Sequence, residues 1–153
     1  MHRHHIESIE NLKKYFSGME GMIAVVWDGS IVKGNERPDS DVDALIVVTE
    51  ETYARLAAEN RLAEVIPGYC TYEGGYFDVK YKTKAQLIAA AERASEPTRN
   101  AYVKAQVLYS SDPDIAPLVE KIAAYPEKEL GAKVACFNAN LQLNRGYFLH
   151  CVP

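Results

Sequence analysis

The sequence predicts an α/β (α+β) fold, in which a mixed β-sheet with flanking helices is followed by a C-terminal helical segment. Two short apolar runs rich in β-branched residues, Met22–Trp27 and Asp41–Val48, are typical of buried strands. Segments with helical spacing lie between and around further strand-like runs. From residue 113 onward the pattern is helical alone. We therefore expect a sheet domain at 1–112 and a helical segment at 113–153.

Four further elements are predicted in the first part of the chain. A helix with apolar residues at helical spacing precedes the first strand and stops at Gly18. Thr49 is expected to cap a second helix that runs toward Asn60. Two strands, Tyr69–Tyr72 and Tyr76–Tyr81, are predicted to pair around a turn that contains two glycines.

The later elements carry their own start signals. Thr83 and Gln86 are spaced as a capping box at a helix start. Pro97 is tolerated in the first turn of the next helix. Val107–Ser110 is predicted as a short edge strand. Two helices follow, and the last, over Glu127–Leu149, carries a broad apolar stripe.

Composition narrows the class of protein. The chain has 153 residues, with 48% hydrophobic and 25% charged residues, the balance of a soluble globular domain rather than a disordered one. No apolar run approaches the ~20 residues that span a bilayer. A net charge of −4 without a cluster of basic residues weighs against a nucleic-acid partner. Three scattered cysteines indicate reduced thiols, so we expect a cytoplasmic protein without a membrane partner.

The segment 29–43 carries the first chemical signal. Side chains at i and i+2 of a strand share a face, so Asp41 and Asp43 should project together from the start of an apolar strand. Two carboxylates about 4 Å apart repel by about 4 kcal/mol at an effective dielectric near 20. Protonation, separation or a bound cation relieves that repulsion, and a hard divalent cation such as Mg²⁺ suits oxygen ligands.

Two other features complete this constellation. Gly29 and Ser30 end the preceding strand, where glycine allows close approach and N–H groups with the Ser30 hydroxyl can hold phosphate oxygens. Asp78 lies among apolar neighbours, where an unpaired carboxylate is costly. If its strand lies beside Asp41–Val48, Asp78 can reach the same cations and act as a general base.

Each feature also has a structural interpretation. Asp41 and Asp43 taken singly are equally well read as solvated acids at the end of a loop, and a Gly-Ser turn is common. Lys80 and Lys82, on the side of Asp78, are more often solvated strand lysines than ligand contacts. The combination of an acid pair, a glycine bend and a third acid in a strand favours a catalytic site over a purely structural role.

The order of strand, Gly-Ser, short helix, loop, Asp-x-Asp, strand and a later strand aspartate resembles the polymerase-beta-type nucleotidyltransferase superfamily. It is most similar to the small bacterial aminoglycoside and lincosamide nucleotidyltransferases, closely over residues 20–82. The resemblance implies that Asp41 and Asp43 ligate two Mg²⁺ ions and that Asp78 completes the triad. It also implies that the triphosphate is contacted by Gly29, Ser30, Lys33 and Ser40.

The resemblance further implies a reaction and its partners. A nucleoside triphosphate, ATP in the first instance, would donate a nucleoside monophosphate to a hydroxyl of a small acceptor, with metal assistance and release of pyrophosphate. One alternative is a minimal nucleotidyltransferase that modifies a protein partner, as in toxin–antitoxin pairs. Another is a domain of the same fold that binds nucleotide or a partner without catalysis.

Two departures from the family pattern stand out. Asp28 precedes Gly29 where relatives usually have an apolar or small residue, and it adds negative charge near the phosphates. Relatives that modify small molecules often carry a larger C-terminal helical region that closes the acceptor pocket. We therefore expect either a truncated chain or a homodimer in which a second subunit completes that pocket.

Overall fold

The computed structural model describes residues 1–151, which form five strands and seven α-helices. The strands are β1 (Met22–Trp27), β2 (Val42–Val48), β3 (Ala63–Pro67), β4 (Tyr76–Thr83) and β5 (Gln106–Ser110). The helices are α1 (Arg3–Phe16), α2 (Gly29–Lys33), α3 (Glu50–Ala58), α4 (Lys84–Glu92), α5 (Glu96–Tyr102), α6 (Ile115–Ala123) and α7 (Leu130–Cys151). A 3-10 turn at Glu127–Glu129 leads into α7.

The five strands form one mixed sheet in the order β3-β4-β2-β1-β5. β2 and β4 run parallel, and all other neighbours are antiparallel. The parallel pair sets Asp43 of β2 opposite Asp78 of β4. The predicted fold class, a mixed sheet with flanking helices and a C-terminal helix, is confirmed.

Each face of the sheet carries its own apolar core. One face packs against α1 and α3, through residues such as Leu12, Phe16 and Leu56. The other packs against α4 and α6, through residues such as Leu87 and Ile115. β1 and β2 are central strands and supply alternate residues to both cores, which explains why their sequences are almost wholly apolar.

One predicted strand is wrong. The segment Tyr69–Tyr72 is irregular, and the strand that pairs antiparallel with β4 is β3, at Ala63–Pro67. β3 lies at the edge of the sheet, and Val65 on it is 64% exposed, so it needs no continuous apolar run. Gly68, with a φ of +87°, follows the last residue of β3. The aromatic segment instead packs over the end of the sheet, where Tyr69 stacks on Phe77.

The start signals read from the sequence are confirmed. Thr49 accepts a hydrogen bond from the Thr52 N–H at the start of α3, and Thr83 and Gln86 form the complete capping box of α4. α5 contains Pro97 in its first turn. These caps satisfy backbone groups that the helix interior cannot reach.

The first turn of α1 packs against the loop that leads into β2. His4 Nε2 lies 2.9 Å from the Pro38 carbonyl oxygen. His5 is fully buried, and its ring packs on those of His4 and Tyr72. Tyr72 in turn donates its hydroxyl proton to the Ser40 carbonyl. This packing holds the residue immediately before Asp41.

The helices after residue 112 differ in their packing. α6 buries Ile115, Val119 and Ile122 in the second core, whereas α7 buries no residue. The division into 1–112 and 113–153 stays a prediction. Among residues 1–151, no helix is long and apolar enough to cross a membrane.

Candidate active site

Three carboxylates converge at one end of the sheet. Asp41 precedes β2, Asp43 is the second residue of β2, and Asp78 lies in the neighbouring parallel strand β4. One ligand oxygen from each lies within 4.8 Å of the others, and all three side chains are partly exposed. The parallel register of β2 and β4 brings Asp43 and Asp78 side by side, as the sequence interpretation required.

The bend after β1 closes around this acid cluster. β1 runs antiparallel to β2, so its last residue, Trp27, lies opposite Ala44, and the Asp28 N–H donates to the Asp43 carbonyl at 3.3 Å. Gly29 has a φ of +82°, and a Cβ there would overlap the Asp43 carboxylate. Glycine is therefore required at position 29 for two reasons: the left-handed backbone conformation and the lack of space for a Cβ beside the acid.

The electrostatics of the cluster favour a cation. Burial raises the pKa of Asp43, and the negative charges of Asp41 and Asp78 raise it further. The Lys80 ammonium and the Ser30 backbone N–H act in the opposite direction. Like charges at this separation make simultaneous ionisation costly, and a metal ion among hard oxygen ligands removes that cost. The donor set thus fits a divalent metal.

Asp28 adds a fourth acid to the same region. Burial, followed by the charge of Asp43, raises its pKa from 3.8 to about 7. Lys80 and Lys33 lower it only in part. Burial, with a contribution from the charge of Asp28, also raises the pKa of Tyr102 to about 12. The extra acid noted in the sequence therefore keeps its proton below about pH 7, which removes part of its negative charge from the site.

Lys80 is the cation closest to the triad. Its Nζ lies 3.1 Å from Asp78 Oδ2. Desolvation lowers the pKa of Lys80, but the hydrogen bond to Asp78 and the charges of Asp78 and Asp43 outweigh that effect and raise it. Lys80 thus partly neutralises the acids that would hold a metal.

The four predicted phosphate contacts lie in different surroundings. Gly29 and Ser30 lie directly beside the triad, at the start of α2, and Lys33 ends that helix close enough for its charge to act on Asp28. Ser40 is 8% exposed, and its hydroxyl oxygen accepts a hydrogen bond from the Arg37 N–H at 2.9 Å. Ser40 therefore already holds the loop before Asp41.

The sequence interpretation missed Tyr76. The charge of Asp41 and a hydrogen bond to it raise the pKa of the Tyr76 phenol, so this hydroxyl faces the cluster. The signal was available, because Tyr76, Asp78 and Lys80 alternate along β4 and therefore share one face.

Comparison with known proteins assigns the domain. A protein-family model described as "Nucleotidyltransferase domain" matches residues 9–106, and no curated protein matches the chain in sequence. One similar solved structure is a toxin–antitoxin with AMP-PNP, at 13% identity and a TM-score of 0.41 over 90% of this chain and 98% of that chain. Another is a mutant of the toxin–antitoxin MntA-HpeT, at 10% identity and a TM-score of 0.42 over 86% and 97%. The specific closeness to aminoglycoside and lincosamide enzymes is not confirmed by these matches.

Proposed function

The chain belongs to the nucleotidyltransferase domain family, and on that premise we propose that it transfers a nucleoside monophosphate from a nucleoside triphosphate to a hydroxyl group. ATP is the proposed donor, a small hydroxylated molecule is the proposed acceptor, and pyrophosphate leaves. One observation carries the proposal. Three carboxylates offer oxygens within 4.8 Å of one another beside a bend that only glycine fits.

We assign Asp41 and Asp43 as ligands of two Mg²⁺ ions, with Asp78 as the third carboxylate. When bound, the ions supply charge compensation for the reacting phosphate and align the attacking and leaving oxygens. The raised pKa of Asp43 supports this assignment, because a cation among the three acids removes the repulsion that raises it.

The remaining roles belong to residues of the chain. Asp78 is the proposed general base, which takes the proton of the acceptor hydroxyl as its oxygen bonds to the α-phosphorus and the bond to pyrophosphate breaks. Gly29, Ser30 and Lys33 are proposed to hold the triphosphate. Ser40 is the fourth proposed contact, and its hydroxyl can donate to a phosphate oxygen while it accepts from the Arg37 N–H.

Nucleotide binding provides the first test. Calorimetry with a non-hydrolysable ATP analogue should detect binding in the presence of Mg²⁺, and the double variant Asp41→Ala plus Asp43→Ala should lose it. Asp39→Ala is the matched control, because that acid is exposed in the same loop and pairs only with Arg37. Equal, metal-independent binding by the double variant would exclude a metal-bridged site.

The acceptor requires a separate screen. Labelled nucleoside triphosphates are incubated with hydroxylated small molecules in one arm and with candidate proteins in another. Label on a small molecule supports the proposal, whereas label only on a protein supports the alternative of protein modification. Nucleotide binding without any transfer supports a non-catalytic domain.

Once an acceptor is known, Asp78→Asn should spare nucleotide binding and slow turnover, and full turnover in that variant would remove Asp78 as the base.

A further inference from the structure

α7 exposes a large apolar surface that no described residue covers. None of its residues is buried, and eight large apolar side chains are 45% to 70% exposed. These are Leu130, Val134, Phe137, Leu141, Leu143, Tyr147, Phe148 and Leu149. The ion pairs of Lys133 with Glu96 and Glu129 fix the start of the helix. A soluble protein rarely leaves such a surface without a partner.

The order of residues along α7 indicates what kind of partner fits. Starting from Leu130, steps of four and three residues select one continuous row along the helix. The row is Leu130, Val134, Phe137, Leu141, Asn144, Phe148 and Cys151. Alternating steps of four and three define the seam of a coiled coil, where each helix packs against one other helix.

We propose that α7 pairs in parallel and in register with the α7 of a second copy of this chain. Asn144 is the one amide in an otherwise apolar row, and in-register pairing places it against its own counterpart, where the two amides hydrogen-bond. An antiparallel pair would leave this amide against an apolar side chain. The polar row position therefore selects both the orientation and the register.

The charges on α7 suit a second copy. The helix contains no acidic residue, so pairing desolvates no carboxylate. Lys133 is already held by acids of its own chain. In a parallel pair, a residue that flanks the seam faces the residue five positions later in the second helix. Asn140 of one copy therefore lies beside Arg145 of the other, and no two cations face each other there.

The area is sufficient for a specific dimer. Fully exposed large apolar side chains present about 150–250 Å² each, so the five apolar residues of the row, with Tyr147 beside it, offer about 650 Å² at their observed exposures. A standard dimer interface buries about 800 Å² on each partner. The total for two copies of α7, about 1,300 Å², lies at the lower end of the range of about 1,200–2,000 Å² that specific interfaces bury.

Sedimentation equilibrium of the full chain tests the pairing. We expect a species of twice the 17.1 kDa chain mass that dissociates on dilution. Leu141→Glu places a charge at the centre of the seam and should weaken association at least tenfold. Gln142→Glu is the matched control, because it adds the same charge one residue away and off the seam. A monomer at every concentration, or a dimer that Leu141→Glu leaves intact, would overturn the proposal.

Native cysteines test the orientation. Cys151 lies in the seam and Cys136 lies off it, and both are exposed. Mild oxidation should therefore link two chains through Cys151, and Cys151→Ser should abolish the link while Cys136→Ser keeps it. A dimer that forms no Cys151 disulfide would overturn the parallel arrangement. Because no residue of α7 is buried, unfolding of the sheet domain should be unchanged in these variants, and this serves as the folding control.

Discussion

The electrostatic strain at Asp28 makes a quantitative prediction for the metal-free protein. An acid whose folded pKa exceeds its unfolded value binds its proton more tightly in the folded state, so stability falls as pH rises from about 4 to above 7. The displacement from 3.8 to about 7 corresponds to about 4 kcal/mol, at about 1.36 kcal/mol for each tenfold change in proton affinity. Asp28→Asn removes this cost, because the amide is neutral at every pH.

We expect Asp28→Asn to raise the free energy of unfolding by about 1–3 kcal/mol near pH 8.5, since structural relaxation reduces the upper value. The gain should shrink at about pH 5, where Asp28 of the wild type is protonated when folded. Urea denaturation in a chelator at both pH values measures it. Asp39→Asn, an acid that is 74% exposed, should leave the stability nearly unchanged. An Asp28→Asn protein no more stable than wild type at pH 8.5 would refute the reasoning.

Three further predictions concern the same end of the sheet. Gly29→Ala should cost about 2 kcal/mol or more and weaken Mg²⁺ binding in calorimetry, because its φ is +82° and its Cβ displaces the Asp43 carboxylate. Lys80→Gln should tighten Mg²⁺ binding about three- to tenfold, since it removes the ammonium that competes for the triad. Burial, then the charges of His4 and His2, lower the pKa of His5 below 6.5, so stability should fall as pH drops below that value, and His5→Phe should flatten this loss in urea denaturation.

The first two of these predictions have a matched control in the chain. Gly34 also has a positive φ, of +79°, but open space around its Cβ position, so Gly34→Ala should cost backbone strain alone and leave Mg²⁺ binding intact. Lys82→Gln removes an exposed lysine two residues beyond Lys80 and should not change the metal affinity. If Gly29→Ala and Gly34→Ala behave alike, or Lys80→Gln binds Mg²⁺ as the wild type does, the geometry assigned to the triad is wrong. Equal pH dependence in wild type and His5→Phe would exclude His5 as the titrating group.

Much of the site was predictable because its signals are local. The apolar runs of β1 and β2, the acids at the start of β2 and the acid inside β4 are each visible in a few consecutive residues. Their convergence required one assumption, that β2 and β4 are neighbours, which the parallel pairing confirms. The roles of Gly29, Ser30, Lys33 and Ser40 toward phosphate stay predictions.

The errors have a physical origin in tertiary contacts. Tyr69–Tyr72 has a higher strand propensity than Ala63–Pro67, but the edge position beside β4 is occupied by the latter. Tyr72 is used instead as a hydrogen-bond donor to Ser40 across 32 residues, a contact that no local pattern reveals. The apolar stripe predicted on the last helix exists, but a sequence pattern does not state what covers it.

Because β2 and β4 pair directly, the spacing of Asp43 and Asp78 does not depend on the length of the chain that connects the two strands. Residues 49–75, which include α3 and β3, form a crossover outside the strand pair, so insertions in its exposed turn at 59–61 should be tolerated without moving either acid. A single residue inserted between Tyr76 and Asp78 has the opposite effect, because it turns Asp78 to the other face of the sheet. Homologous chains should therefore vary in length at this turn while keeping the register of β2 and β4.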